Sequence, residues 1–303
     1  MTFNLIVILG PTASGKTKLA ARLASDRGSE IISADSRQVY RGMDIGTGKD
    51  FGAYIVDGVT VPHHLIDIVD PDYEFSVFDY QMHFSRVFTE ISSRGIVPIM
   101  VGGTGLYIEA AITGYRLLEV PENPSLRQEL EQEGMKELRN RLIELRPEVH
   151  NTTDLLERKR LVRAIEIMEF TRAHSCPESH FPRIAALAVG IRWERSTLRE
   201  RITDRLNARL NAGMIEEVER LYRSGIGWEK LNFFGLEYRY VGLYLRGVMS
   251  YTEMFQKLNT RIHQFAKKQE TWFRRMEKKG TRIHWINGDD YGRAAEIVNG
   301  LMK

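Results

Sequence analysis

The sequence predicts an α/β fold: a mostly parallel sheet flanked by helices, with a small helical insertion domain. Three observations point there. Short apolar runs alternate with stretches of helical periodicity in the N-terminal part of the chain. A glycine-rich turn follows the first of those runs directly. From Pro124 to about Thr171 no segment has strand character, whereas the segments on either side do. At 303 residues the chain can hold one large domain with a smaller one inserted.

Leu5–Leu9 is continuously apolar and ends at a glycine turn, as expected of a strand buried on both faces. A helix is predicted over Lys18–Ser25. Further strands are predicted at Glu30–Ser33, His64–Val69 and Val97–Val101, with a helix over Phe78–Ser92 between the last two. Strands alternating with helices imply right-handed parallel crossovers. After Tyr115 the character changes. Ser125 can cap a helix running to Leu145, stopped by Pro147, and a second helix spans Asp154–Phe170. Ala173–Arg183 reads as a loop, and Ala185–Ile191 returns to strand. The C-terminal third is mostly helical and closes with a strand at Ile283–Ile286 and a last helix. The expected division is therefore 1–115 with 184–303 as the core, and 116–183 as the insertion.

Charge is unevenly placed. Met254–Arg282 holds nine Lys or Arg against two Glu, while the whole chain has a net charge of only +3. A basic stripe on a near-neutral body suggests a polyanionic partner. The single cysteine, Cys176, excludes an intrachain disulfide and a cysteine-based zinc site. No secretory signal or membrane span is read, since the first apolar run is too short for either. A cytoplasmic, monomeric protein without a membrane partner is expected.

The segment Gly10-Pro-Thr12-Ala13-Ser14-Gly15-Lys16-Thr17 fits the pattern G-x-x-x-x-G-K-[ST], in its required place between strand and helix. Such a loop wraps backbone N–H groups around phosphate oxygens at a helix N-terminus. Lys16 adds a point charge, and the Thr17 hydroxyl can ligate Mg²⁺. The fold expected is thus P-loop NTPase-like. The loop implies a di- or triphosphate and does not specify ATP. The strand before Gly102-Gly103-Thr104 lacks the terminal acid of a motor ATPase. The acid nearest a strand end is Asp35, which can be a base in front of the phosphates, a helix cap or a group contacting Mg²⁺ through water.

Four segments together resemble the tRNA dimethylallyltransferases: Gly10–Thr17; Ile32-Ser-Ala-Asp35-Ser36-Arg37-Gln38-Val-Tyr40 continuing to Gly46-Thr47; Val101-Gly-Gly-Thr104-Gly-Leu-Tyr107; and Thr260-Arg261 with Ala266-Lys267-Lys268-Gln269-Glu270-Thr271-Trp272-Phe273-Arg274. His63-His64-Leu-Ile-Asp67 and Asp70-Pro71 fit as well. The resemblance implies that Gly10–Thr17 holds the diphosphate of dimethylallyl diphosphate. It makes Asp35 the general base, with Ser36, Arg37 and Gln38 beside the adenine and Thr104 at the reacting centre. Arg205 then faces the diphosphate, and Mg²⁺ is the cofactor. Arg127, Lys159, Arg160, Arg163, Arg239, Lys267, Lys268 and Arg274 match positions that contact tRNA, at its anticodon stem-loop. The family's target is the adenosine 3′-adjacent to the anticodon. Where the family often has Val-Gly-Tyr-Arg, this chain has Leu236-Glu237-Tyr238-Arg239, a change expected to leave the chemistry alone.

Other readings compete. A small-molecule kinase would use the same loop, with Arg160 and Arg163 as lid arginines. An adenylate prenyltransferase would have little use for the basic stripe. An RNA-binding protein with a relic loop would not need Lys16, Thr17, Asp35, Thr104 and Arg205 together. His63 and His64 read as structural, Trp272 and Phe273 as core aromatics.

Overall fold

The computed structural model describes residues 3–115, 117, 119–145, 157–174 and 181–302. The chain forms two compact units, one of residues 1–115 and 182–303, the other of residues 116–181. The larger begins with β1 (Leu5–Leu9), α1 (Lys16–Arg27) and β2 (Ile31–Ala34). A 3₁₀ turn at Phe51–Tyr54 leads into the antiparallel pair β3 (Ile55–Val56) and β4 (Val59–Thr60), then β5 (His63–His64). Next come α2 (Val77–Ser93), β6 (Ile99–Gly102) and α3 (Gly105–Thr113). The smaller unit contributes α4 (Pro124–Glu131), α5 (Met135–Leu145) and α6 (Arg158–Ala173). The chain returns as β7 (Ala186–Arg192), α7 (Arg195–Asn211), α8 (Met214–Arg223), α9 (Trp228–Phe233), α10 (Leu236–Leu245) and α11 (Tyr251–Lys278), and ends with β8 (Ile283–Asn287) and α12 (Tyr291–Leu301).

Six strands pair in the order β5-β2-β6-β1-β7-β8, every pair parallel. All five residues of β1 are fully buried, because the strand lies in the middle of the sheet with layers on both faces. On one face Leu19, Ala20, Leu23 and Ala24 of α1 pack into a core with Ile6, Ile8, Ile99 and Val189. The alanines let the helix lie close to the strands. Helix α1 starts two residues earlier than its periodicity predicts, because its first residues belong to the glycine loop, with left-handed Gly15 at its N-cap.

Two predicted elements need correction. The strand expected over His64–Val69 is only His63–His64. Leu65 and Asp67 have positive φ, so the chain leaves the sheet there; Asp67 pairs with Lys49, and Val69 bridges to Tyr40. The apolar residues of this segment serve a packed loop and not a ladder. The single helix expected over Ser125–Leu145 is two. Asn123 and not Ser125 caps α4, with Pro124 in the first turn, and a break at Gln132–Gly134 separates it from α5. The break lets Leu126, Leu130, Leu138 and Leu142 all meet Leu161 and Ile165 of α6. Pro147, Asp154 and Cys176 lie outside the described residues.

Candidate active site

Strand register builds the site. Leu9 and Ala34 both pair with Gly102, so Gly10, Asp35 and Gly103 leave the sheet at one level along its carboxyl edge. Parallel α/β sheets bind ligands along this edge. A cavity of about 730 Å³ opens there, lined by the glycine loop, by Asp35 to Gln38, by Gly103 and Thr104, and by residues of α7, α10 and α11.

The loop is braced from several sides. Ala13 takes a left-handed φ of 61°, and its carbonyl accepts from Arg201 Nε at 2.9 Å. The Arg201 guanidinium lies 4.3 Å over the Trp193 ring, whose Nε1 donates to Ser14 O at 3.0 Å. Gln269 of α11 accepts from Thr12 N at 2.8 Å and donates through Nε2 to Gly103 O at 2.8 Å. One buried amide thus joins the glycine loop to the turn after β6. That turn must be glycine-rich: a Cβ on Gly103 would stand 2.4 Å from Gln269 Nε2, and one on Gly105 would stand 2.3 Å from Trp272 Cδ1. Local sequence signals single out none of Gln269, Trp193 and Arg201 for these roles. Gln269 lies inside a quoted motif, but its inward aim depends on how α11 packs.

Cations converge on the cavity. Lys16 Nζ donates to Pro11 O at 2.6 Å. Burial, and then the Arg205 charge, lower its pKa to about 7, against an opposing pull from Asp35. Arg205 donates to Thr12 Oγ1 and to Gly48 O, each at 3.1 Å. Its pKa falls to about 10, chiefly through burial and then through Arg209. Such a group of desolvated positive charges awaits an anion.

Facing them is a carboxylate. Asp35 Oδ1 accepts from Arg37 N at 2.9 Å and Gln38 N at 3.4 Å. Thr104 Oγ1 accepts from Ser36 N at 3.1 Å and also lies 3.4 Å from Ser36 Oγ. Gln38 Nε2 donates to Gly48 O at 3.3 Å, and Arg37 lies 5.0 Å over the Phe233 ring. Lys16, Thr17, Asp35, Thr104 and Arg205 therefore share one cavity. No cluster of three His, Cys, Asp or Glu able to hold a metal occurs among the described residues. Thr17 and Asp35 line the same cavity, and a hydroxyl and a carboxylate are ligands that would suit a small divalent cation held mainly by substrate phosphates and water.

Residues predicted to contact RNA fall into two groups. Lys159, Arg160, Arg239, Lys267, Lys268 and Arg274 are exposed. Arg127 and Arg163 are instead tied within the smaller unit. Arg127 Nε and Nη2 meet the Glu166 carboxylate at 2.8 and 2.9 Å, and Arg163 donates to Glu166 Oε2 at 3.0 Å and to Val120 O at 2.7 Å. Glu166 is buried, so these arginines neutralise it. His63 stacks on Tyr54 at 4.3 Å and His64 Nε2 meets Glu30 Oε2 at 2.7 Å, both structural roles. Phe273 is core, and Trp272 carries the Arg275 guanidinium 3.9 Å from its ring centroid. Glu237 lines this cavity and meets Arg209 at 3.0 Å.

Fold and cavity together define a P-loop α/β enzyme that handles a phosphorylated substrate. The IPP transferase family model matches residues 38–276, and an isopentenyl transferase model matches residues 3–58. The chain is 60% identical over 304 residues to "tRNA dimethylallyltransferase 1" of Syntrophus aciditrophicus, covering 100% of both chains. To the protein of the same name from Geotalea uraniireducens it is 58% identical, covering 95% of this chain and 94% of that one. Among solved structures it is similar to the full-length tRNA isopentenylpyrophosphate transferase of Bacillus halodurans, with a TM-score of 0.72, 33% identity and coverage of 99% and 96%. A eukaryotic dimethylallyltransferase shares the fold at a TM-score of 0.75 and 21% identity, over 99% of this chain and 77% of that one. The chain belongs to the IPP transferase family and is a prenyltransferase.

Proposed function

We propose that the chain transfers a dimethylallyl group from dimethylallyl diphosphate to the exocyclic N6 amine of the adenosine 3′-adjacent to the anticodon in tRNA, releasing diphosphate. One observation carries this reading: the phosphate cradle and the Asp35–Thr104 pair open into the same cavity.

The adenine amine is a weak nucleophile, because its lone pair is delocalised into the ring. The electrophile must therefore have a good leaving group. As the carbon–oxygen bond to the diphosphate breaks, negative charge grows on the departing group. The loop N–H groups, Lys16 and Arg205 stabilise that charge in a site already arranged for it. Asp35 orients the incoming amine and accepts its proton as the carbon–nitrogen bond forms. Thr104 stands beside Ser36 to position the base. Phe234, Ile262 and Phe265 give the cavity an apolar wall that suits the five-carbon chain and keeps water from it. Mg²⁺, held by Thr17 and diphosphate oxygens, would supply further charge neutralisation. The base must leave the anticodon-loop stack to reach Asp35. Exposed Lys267, Lys268 and Arg274 are assigned to RNA phosphates, as are Arg239, Lys159 and Arg160. Cytoplasmic action as a monomer completes the proposal.

Incubation with labelled dimethylallyl diphosphate, Mg²⁺ and unmodified tRNA, with AMP and ATP in parallel tubes, tests it. Label is expected in tRNA. Label in AMP alone would point to an adenylate prenyltransferase, and phosphate transfer from ATP to a kinase.

A further inference from the structure

Arg201, Arg205 and Arg209 recur every fourth residue on α7, and all three line the cavity. Their partners differ. Arg201 stacks on Trp193 with Asp289 at 3.9 Å. Among the described residues no carboxylate lies within ion-pair distance of Arg205. Arg209 Nη1 donates to Glu237 Oε1 at 3.0 Å, with the two side chains only 14% and 19% exposed. Arg205 and Arg209 are neighbours over Gly48: a Cβ on that glycine would stand 2.5 Å from Arg205 Nη2 and 1.5 Å from Arg209 Nη2. A second guanidinium is thus parked beside the one that faces the cradle.

Glu237 is well placed to hold it there. It lies in the first turn of α10, and the adjacent Tyr238 is buried and donates to Glu217 Oε1 at 2.8 Å. Glu217 in turn accepts from the backbone N–H groups of Asp44, Ile45 and Gly46. The backbone carrying Glu237 is therefore fixed against the loop that ends at Gly48. Within this pocket the pair costs Arg209 its availability to any other anion. A departing diphosphate gains charge on release, so an additional guanidinium would favour bound product most and slow its exit.

We propose that Glu237 is a positioning residue that restrains Arg209, so that of these two neighbouring arginines only Arg205 engages the diphosphate and the product can leave. This rests on reading the glycine loop as a diphosphate site. The test is calorimetric titration of inorganic pyrophosphate with Mg²⁺ into wild type, Glu237→Gln, Glu237→Ala, and each combined with Arg209→Met, with thermal melting as the folding control. Freeing one charge-assisted donor should tighten pyrophosphate binding roughly ten- to hundred-fold in the single Glu237 variants. The gain should vanish when Arg209 is also replaced. Unchanged or weaker binding in whichever Glu237 variant remains folded, or a gain that survives Arg209→Met, overturns the proposal. If wild type binds pyrophosphate and only the gain is missing, the diphosphate reading stands and this inference alone falls. If wild type binds none, both fall.

Discussion

Lys16 shows how a single residue couples the site to pH. Its pKa of about 7 lies below the ordinary lysine value of 10.5, because burial and Arg205 disfavour the ammonium. Above neutrality Lys16 is therefore mostly the uncharged amine, while a bound diphosphate favours the charged form. Binding at pH 8 should draw a proton onto Lys16. Pyrophosphate titrations in buffers of different ionisation enthalpy should show more proton uptake by wild type than by Lys16→Arg, whose guanidinium is already charged. Equal uptake in the two would disprove the assignment. Asp35 is argued at the same scale. Asp35→Ala should lower prenyl transfer by about 10²–10⁴-fold while tRNA binding persists. Near-normal turnover would leave Asp35 with only its backbone contacts to Arg37 and Gln38.

At the scale of elements, α11 governs the geometry of the site. Its inward face holds Gln269 between Thr12 N and Gly103 O, and its far end holds Arg275 and Lys279 against buried Glu109 of α3, at 3.0 and 2.6 Å. Burial pushes the Glu109 carboxyl up, but hydrogen bonds from Lys279, Tyr115 and Arg275 outweigh it and hold the pKa below the usual range. This depressed pKa contributes stability that is present above the unfolded value and lost as pH falls through the folded one. Glu109→Gln should lower Tm at neutral pH and reduce its fall in acid; an unchanged melting profile would count against the clamp. Gln269→Leu keeps the bulk but leaves a buried N–H and a carbonyl unpaired. A loss of about tenfold or more in kcat/KM is expected, with tRNA affinity retained. Full activity would show that the cradle needs no brace from α11.

For the molecule as a whole, charge placement sets the partner. The basic segment is not one uniform face. Lys267, Lys268 and Arg274 point outward, whereas Arg275 and Lys279 are committed to Glu109. Reversing the three outward residues should weaken tRNA binding and flatten its salt dependence, by roughly 0.7–0.9 in slope for each phosphate that is no longer neutralised. An unchanged slope would make them a solvated helix face. The smaller unit has its own logic. Arg127→Ala would strip a bidentate partner from buried Glu166, so the expected result is a lower Tm, with any loss of RNA binding following from it.

Much of this is legible in the chain before folding. The β1–loop–α1 unit can be read because its signals are local: an apolar run, then glycines where backbone must wrap an anion, then helical spacing. Asp35 stands out because it directly follows a strand. Lengths and caps in the insertion, and the short β5, differ from expectation because packing decides them: α4 and α5 split to share one core, and Leu65 and Asp67 turn away from the sheet. The sequence by itself determined the phosphate cradle, the base candidate and the family. Only the tertiary structure decided that Gln269 braces the cradle, that Arg127 and Arg275 pair with buried carboxylates, and that Glu237 pairs with Arg209. Each of those is a contact between residues set apart along the chain, and the direction of a polar side chain at such a contact is set by what packs against it.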